Sequence, residues 1–132
     1  MKIYLAAPFG EKNSEKRRNA ETAAAMLEER GFSVYRPWTV FIPNAWGLPN
    51  AVWGRKVFEN DKAAIDAADI VVMLSYGRCS TTAGTNWEAG YAYGTGKKLI
   101  VVEMTDEIMS LMISNGCHAV LSRIEDLQTY DF

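Results

Sequence analysis

The chain has 132 residues, with 14 Lys and Arg against 16 Asp and Glu and a formal net charge of -2. This length suits a single domain, and the near-neutral charge excludes the basic surface that a nucleic-acid polymer would need. Hydrophobic residues make up 48% of the chain. However, no apolar run is long enough to span a membrane and the N-terminus lacks a signal-peptide pattern, so we expect a cytoplasmic protein without a membrane partner.

The rarest residue types limit the chemistry further. There is one histidine, His118, and the two cysteines, Cys79 and Cys117, are far apart and match no metal-binding or disulfide pattern. The Gly-Lys segment at 94–98 precedes a predicted strand and lacks the spacing of a phosphate-binding loop, and no GxGxxG motif follows the first strand. We therefore expect no metal and no cofactor, and chemistry carried by carboxylates, hydroxyls and tyrosines.

Strand and helix patterns alternate from the N-terminus onward. Residues 2–7 form a short apolar run that predicts a strand. Ser14 is placed to cap a helix that ends at Gly31 and has one apolar stripe, formed by Ala20, Ala23, Ala24 and Leu27. Residues 32–35 predict a second strand.

A long loop is predicted next, over residues 36–53. It is rich in proline and contains four large aromatic residues: Trp38, Phe41, Trp46 and Trp53. A loop of this length in a small domain is usually functional or mobile. Its aromatic side chains either stack on a planar ligand or pack against one another or a second subunit.

The remaining elements are predicted as a helix over 51–67, a strand over 69–74, a helix over 86–93 and a strand over 99–103. Thr105 predicts the start of a helix that ends at Gly116, residues 118–121 predict a short strand, and Ser122 with Glu125 has capping-box spacing before a last helical turn. This order predicts an α/β fold with one domain over residues 1–132. We expect a doubly wound, five-stranded parallel sheet of flavodoxin-like or Rossmann-like order, with helices on both faces.

Ligands of such sheets bind beyond the carboxyl ends of the strands, which here selects residues 6–10, 36–50 and 75–88. Asp61 shares the apolar face of its predicted helix, so it should point at the sheet, where burial would raise its pKa towards that of a proton donor. The alternative is that Asp61 caps a neighbouring strand end.

Glu88 has two interpretations as well. With Thr85 it forms a capping box, which needs no function; alternatively, Gly84 and Gly90 allow a ligand or another backbone to approach a carboxylate close to the sheet edge. Tyr4, in the first strand, is either an ordinary core tyrosine or a partner of Glu88.

Four segments together resemble the nucleoside 2-deoxyribosyltransferase family. They are Tyr-Leu-Ala-Ala-Pro-Phe at 4–9, Asn-Asp at 60–61 with Ala-Asp-Ile at 68–70, Gly-Thr-x-x-Glu-x-Gly at 84–90, and Glu-Ile-Met-Ser-Leu-Met-Ile at 107–113. Each segment is short, but the four occur in order and cover nearly the whole chain.

The resemblance implies that Glu88 attacks the anomeric carbon of a 2′-deoxynucleoside, forming a covalent deoxyribosyl ester that a second base then resolves. It further implies that Asp61 assists proton transfer at the base and that Tyr4 holds Glu88. The implied substrate contacts are Ala6, Pro8, Phe9, Thr82, Gly84, Ser110 and Met112, with Pro8 and Phe9 on the base side. Met112 resembles the residue donated across a subunit interface, so the implied partners are a nucleoside or nucleotide, a free base and a second copy of the chain.

Two positions depart from the transferase pattern. Thr82 replaces an aspartate and Ser110 replaces an asparagine, both of which contact the sugar in transferases. Related 2′-deoxynucleoside 5′-monophosphate N-hydrolases carry hydroxyl residues at both points. The base-recognition amide is not evident either, since the loop offers only Asn44 and Asn50. A deoxyribosyltransferase is the favoured prediction, with the monophosphate hydrolase as one alternative and a non-catalytic nucleotide-binding domain as another.

Overall fold

A computed structural model describes residues 1–40, 42, 47 and 49–132. The strands are β1 (Lys2–Ala6), β2 (Ser33–Tyr35), β3 (Ile70–Ser75), β4 (Lys98–Glu103) and β5 (Ala119–Leu121). The α-helices are α1 (Glu15–Glu29), α2 (Asn50–Ala67), α3 (Ala83–Gly94) and α4 (Leu111–Asn115), with 3-10 turns at Pro37–Thr39 and Ile124–Gln128. Across the described ranges, no helix combines the length and apolar character needed to cross a membrane.

The five strands form one parallel sheet in the order β2-β1-β3-β4-β5, which is the flavodoxin-like order. This confirms the predicted fold class. Helix α1 and the C-terminal turn cover one face, and α2, α3 and α4 cover the other. Neighbouring residues of each strand point to opposite faces, so Ile3 and Leu5 of β1 pack under α1, whereas Tyr4 and Ala6 pack under α2 and α3.

Helix α1 forms as its sequence predicts. The Ser14 hydroxyl accepts a hydrogen bond from the Arg17 N–H at 3.2 Å, which satisfies one free donor of the first turn. The predicted stripe of three alanines and Leu27 is buried against the sheet. Gly31 follows the helix with φ +92°, a conformation that glycine adopts without steric cost.

The helix predicted over 105–116 is wrong in its first half. Only Leu111–Asn115 is helical. The Thr105 hydroxyl donates to the Tyr76 carbonyl at 3.1 Å, and the Glu107 carboxylate accepts from the N–H groups of Cys79 and Ser80 at 3.0 and 3.2 Å. These side chains tie the loop after β4 to the loop after β3 instead of capping a helix.

Three other boundaries differ from the prediction. Helix α3 begins at Ala83, three residues early, and α2 begins at Asn50, which shortens the predicted loop. The last turn is a 3-10 helix whose N-cap residue is Arg123, without a side-chain cap, so the predicted Ser122 capping box does not form. Within the shortened loop, Pro37–Thr39 forms a 3-10 turn.

Candidate active site

A cleft of about 590 Å³ opens beyond the carboxyl ends of β1 and β3, where ligands of this fold class bind. Its walls are the segment after β1, the first turns of α3 and one face of α2. The described lining residues are Ala7, Pro8, Phe9, Gly10, Pro37, Gly54, Val57, Phe58, Asp61, Lys62, Thr82, Gly84, Thr85, Trp87 and Glu88. Among them, Asp61 and Glu88 are the only carboxylates.

Glu88 lies in the second turn of α3 and points towards the sheet. Its Oε2 accepts a hydrogen bond from the hydroxyl of Tyr4, which is fully buried on β1. Burial raises the pKa of Glu88 from 4.5 to about 7; the Tyr4 hydrogen bond opposes this change and the negative charge of Asp61 adds to it. The carboxylate therefore ionises close to neutral pH.

The capping-box interpretation of Glu88 is wrong. Because α3 begins at Ala83, its N-cap residue is Thr82 and not Thr85. The Thr85 hydroxyl is 2.9 Å from the Thr82 hydroxyl, and the Glu88 carboxylate pairs with Tyr4. Helix capping thus does not explain why a glutamate occupies position 88.

Asp61 lies in the middle of α2 and also faces the cleft. The hydroxyl of Tyr35, the last residue of β2, donates to its Oδ1 at 3.3 Å, so Asp61 contacts a strand end through a side-chain hydroxyl and not through the backbone. Burial raises the pKa of Asp61 from 3.8 to about 6, and the Tyr35 hydrogen bond partly opposes the change. Two carboxyl groups with raised pKa values therefore face the same space.

Such a pair can divide the work of nucleophilic and acid-base catalysis. Each negative charge disfavours the other, so near neutral pH the pair tends to hold one proton. The ionised group can attack an electrophilic carbon while the protonated group donates to a leaving group.

Burial of the Tyr4 hydroxyl and its contact with the Glu88 carboxylate raise the pKa of Tyr4 far above its usual value, so this tyrosine stays a hydrogen-bond donor.

Aromatic residues line the open side of the cleft. Pro8 and Phe9 lie there as predicted from the sequence, and they are joined by Phe58 of α2 and Trp87 of α3, whose ring centroids are 5.1 Å apart. Phe58 and Trp87 were not predicted from the sequence. The signal was present, because Phe58 lies three residues before Asp61 on one helix face and Trp87 directly precedes Glu88.

None of the described candidates from the predicted long loop lines the cleft. Trp38 contacts the Phe9 ring at 5.9 Å between centroids, whereas Trp53 is an exposed residue of α2 outside the lining. Asn50 is the first residue of α2 and does not line the cleft either. Phe41, Asn44 and Trp46 lie outside the described residues.

Three other predicted contacts are placed around the sheet edge. Thr82 and Gly84 line the cleft beside Glu88. Ala6 does not, because it is fully buried under α2 and α3, and Ala7 lines the cleft in its place. A Cβ on Gly84 would meet no atom within 4 Å, so nothing within the described chain requires glycine there.

Ser110 and Met112 are not brought to Glu88 within one chain. They line a second cavity of about 480 Å³ between α3 and α4, together with Gly90 and Gly94. Met112 is 82% exposed, and the neighbouring Leu111 and Ile108 are 76% and 68% exposed. This end of the chain presents an apolar surface beside glycines of α3.

Metal-binding side chains do not gather at either cavity. Within the described ranges, no three His, Cys, Asp or Glu side chains are grouped closely enough to hold a metal ion.

Comparison with known proteins shows the family. The model of the family described as nucleoside 2-deoxyribosyltransferase matches residues 3–124. A solved structure of a 2-deoxyribosyltransferase from Bacillus psychrosaccharolyticus is 32% identical in sequence and has a TM-score of 0.85, and the match covers 100% of this chain and 93% of that chain. No curated protein sequence matches the chain.

Two more distant structures share the fold. The Clostridium botulinum CMP N-glycosidase BcmB has a TM-score of 0.65 at 20% identity, with 97% of this chain and 96% of that chain covered. A conserved protein from Enterococcus faecalis V583 has a TM-score of 0.74 at 17% identity, with coverages of 96% and 94%. The family model and the 32% identical transferase carry the assignment: this chain belongs to the nucleoside 2-deoxyribosyltransferase family.

Proposed function

We propose that this protein cleaves the N-glycosidic bond of a 2′-deoxynucleoside and transfers the deoxyribosyl group to another base. The observation that carries the proposal is the pairing of Glu88 with the buried Tyr4 in a cleft that also holds Asp61. Family membership supports the same reaction class. Residues 1–132 would act as one catalytic domain.

Glu88 is the proposed nucleophile. An Oε atom of Glu88 attacks the anomeric carbon, the carbon–nitrogen bond breaks, and its electron pair leaves with the base. The product is a deoxyribosyl ester of Glu88, formed through an oxocarbenium-like transition state as in retaining glycosidases. Tyr4 supports this role because its hydroxyl hydrogen-bonds the ionised carboxylate and lowers the pKa of Glu88 against the effect of burial.

Asp61 is the proposed proton donor. The reactive form of the pair is the one with its proton on Asp61. Burial raises the pKa of Asp61 to about 6, which is below the pKa of about 7 of Glu88, and Asp61 delivers this proton to the departing nitrogen. In the second step the nitrogen of an acceptor base attacks the same carbon, the ester bond breaks to regenerate the Glu88 carboxylate, and Asp61 takes up the proton. Pro8, Phe9, Phe58 and Trp87 supply the apolar walls that suit a planar base.

Transfer to a base is preferred because the likeness to a 2-deoxyribosyltransferase extends over the whole chain at 32% identity. The second candidate is hydrolysis of a 2′-deoxynucleoside 5′-monophosphate, with water as the acceptor. Thr82 favours it, because a hydroxyl lies in the cleft where transferases carry an aspartate. A hydroxyl donates hydrogen bonds to a phosphate, whereas a carboxylate would repel it.

A second copy of the chain is proposed to complete the cleft. Ser110 and Met112 lie away from Glu88 within one chain, in a second cavity bordered by exposed apolar residues of the α4 region. Placed against a partner's cleft, Ser110 would reach the sugar or its phosphate and Met112 would close the apolar side. The glycines of α3 in the same cavity permit close approach of another backbone.

Product analysis tests the proposal and separates its branches. The protein is incubated with deoxynucleosides and with their 5′-monophosphates, with and without an acceptor base, and the products are separated chromatographically. A new nucleoside supports the transferase, and free base released from monophosphates alone supports the hydrolase. A folded protein that converts none of these substrates would refute the enzyme proposal and leave a binding function.

Two variants sharpen the result. Glu88→Gln should lose turnover while retaining substrate binding, since the amide keeps the shape but cannot form the ester. Thr82→Asp should lower monophosphate cleavage at least tenfold if a phosphate lies near Thr82, whereas Thr129→Asp, at an exposed position far from the cleft, should not. Equal effects of both aspartates would contradict a phosphate contact at Thr82.

Subunit complementation tests the shared cleft. Glu88→Gln lacks the nucleophile and Met112→Ala lacks the donated side chain, but a mixed dimer of the two has one intact cleft. Mixing and re-associating the two variants should therefore restore up to about a quarter of wild-type activity, because half of the dimers are mixed and each has one working site. No recovery, in dimers shown to exchange subunits, would refute donation by Met112.

A further inference from the structure

Two tyrosines lie side by side beneath the carboxylate pair. Tyr4 of β1 and Tyr35 of β2 are partners in the strand register, so both side chains leave the sheet on the face covered by α2 and α3. Their rings are stacked, with centroids 5.3 Å apart and planes inclined by 16°. Each hydroxyl donates to a different carboxylate, Tyr4 to Glu88 and Tyr35 to Asp61.

We propose that Tyr35 is a positioning residue that holds the Asp61 carboxyl towards the base of the substrate. The inference rests on the proposed function and adds a residue to it. The stacked ring of Tyr4 and the short strand β2 fix the position of the Tyr35 hydroxyl. The 3.3 Å hydrogen bond from this hydroxyl then orients the Asp61 carboxyl. Tyr35 does not line the cleft, so it acts through Asp61.

The groups that face Asp61 come from three strands or helices: Tyr35 from β2, Tyr4 from β1 and Glu88 from α3. Lys62, its neighbour on α2, lines the same cleft. Lys62 is engaged at 3.1 Å with Asp66, one turn along the helix. Among the described residues, Tyr35 is the one that hydrogen-bonds Asp61.

The Tyr35 hydroxyl remains a donor at every pH where the enzyme would work, because partial burial and the charge of Asp61 raise the pKa of Tyr35 to about 12. A donor to the ionised carboxylate lowers the pKa of Asp61, so its removal must raise that pKa further. Loss of a typical neutral hydrogen bond to a carboxylate should raise the pKa of that carboxyl by roughly half to one unit.

The test uses Tyr35→Phe, which keeps the stacked ring and removes only the hydroxyl, with Tyr130→Phe as a control remote from the cleft. The carboxyl ¹³C resonance of Asp61, identified by its absence in Asp61→Asn, is titrated in the substrate-free protein. The expected result is an upward shift of roughly half to one unit in Tyr35→Phe and none in Tyr130→Phe. An unchanged Asp61 titration would refute the inference whether or not the protein turns over a substrate.

Kinetics supply the second measurement. Tyr35→Phe should lower kcat about fivefold with little change in KM and should move the pH–rate profile to higher pH. The loss should nearly disappear with 7-methyl-2′-deoxyguanosine, whose cationic base leaves without needing a proton. Equal losses with both kinds of substrate would reject positioning of the acid. A shifted Asp61 titration in a protein without turnover would instead reject the proposed function and leave the hydrogen-bonded pair intact.

Discussion

The Glu88 carboxylate should destabilise the folded protein whenever it is ionised. Its pKa is about 7 in the folded state against 4.5 in an exposed glutamate, because burial disfavours the charge. Between these two values the folded state binds more protons than the unfolded state, so the free energy of unfolding falls as the pH rises from 4.5 to 7. Replacement of Glu88 by Gln removes this dependence and should stabilise the protein above pH 7.

The size of the effect follows from the pKa difference. A pKa difference of this size lowers the free energy of unfolding by about 3 kcal/mol above pH 7. We expect to observe about 2–3 kcal/mol, because water at the open cleft screens the charge. The Gln amide can still accept a hydrogen bond from Tyr4, so the packing of the first strand is retained. At pH 4.5, where the carboxyl is mostly protonated in the folded state, Glu88→Gln and the wild type should differ by less than about 0.5 kcal/mol.

Urea unfolding at pH 4.5 and at pH 8 measures both quantities, at one fixed protein concentration so that any subunit association contributes equally. Glu29→Gln is the matched control, because Glu29 is exposed at the end of α1 and far from the cleft. The reasoning is refuted if Glu88→Gln is no more stable than the wild type at pH 8, or if its gain is the same at both pH values.

Three further predictions concern stability and can be checked by the same unfolding experiments. Gly77 and Gly31 share φ +92°, but a Cβ on Gly77 would overlap the Glu107 side chain, whereas a Cβ on Gly31 would meet nothing within 4 Å. Gly77→Ala should therefore lower the free energy of unfolding by at least about 1 kcal/mol more than Gly31→Ala does. Equal losses would show that the Glu107 side chain moves aside. Ser14→Ala removes the N-cap of α1 and should cost about 1 kcal/mol; no loss would mean that the cap is replaced by water. Leu27→Ala, at a fully buried position, should cost about 2–5 kcal/mol, and a smaller loss would show that the core collapses around it.

The regular parts of this fold could be predicted from the sequence because local signals agree with tertiary packing. The alanine stripe of α1, the cap at Ser14 and the apolar runs of β1, β3 and β4 all match the buried faces. The loop after β4 could not be predicted in this way. Thr105 and Glu107 have the residue types of a helix start, but their side chains bind the backbone of the preceding loop, a long-range contact that sequence spacing does not reveal.

Part of the candidate site could likewise be predicted from the sequence, and part could not. Tyr4, Asp61 and Glu88 were predicted; the structure places Asp61 and Glu88 in one cleft and the buried Tyr4 beneath it, hydrogen-bonded to Glu88. The start of α3 was missed because Gly84 has low helix propensity, and this error kept the capping-box interpretation of Glu88 open. Tyr35 was missed because its pairing with Asp61 depends on the register of two strands and the approach of a helix, which only the folded chain defines.

The two stacked tyrosines differ in how well the sheet protects them. Tyr4 lies on a strand with neighbours on both sides, whereas Tyr35 ends a three-residue strand at the edge of the sheet. Edge segments open in local fluctuations that leave the rest of a domain folded. Amide hydrogen exchange should therefore be faster at β2 than at β1, and the link between Tyr35 and Asp61 should be lost in a smaller and more frequent opening than the link between Tyr4 and Glu88.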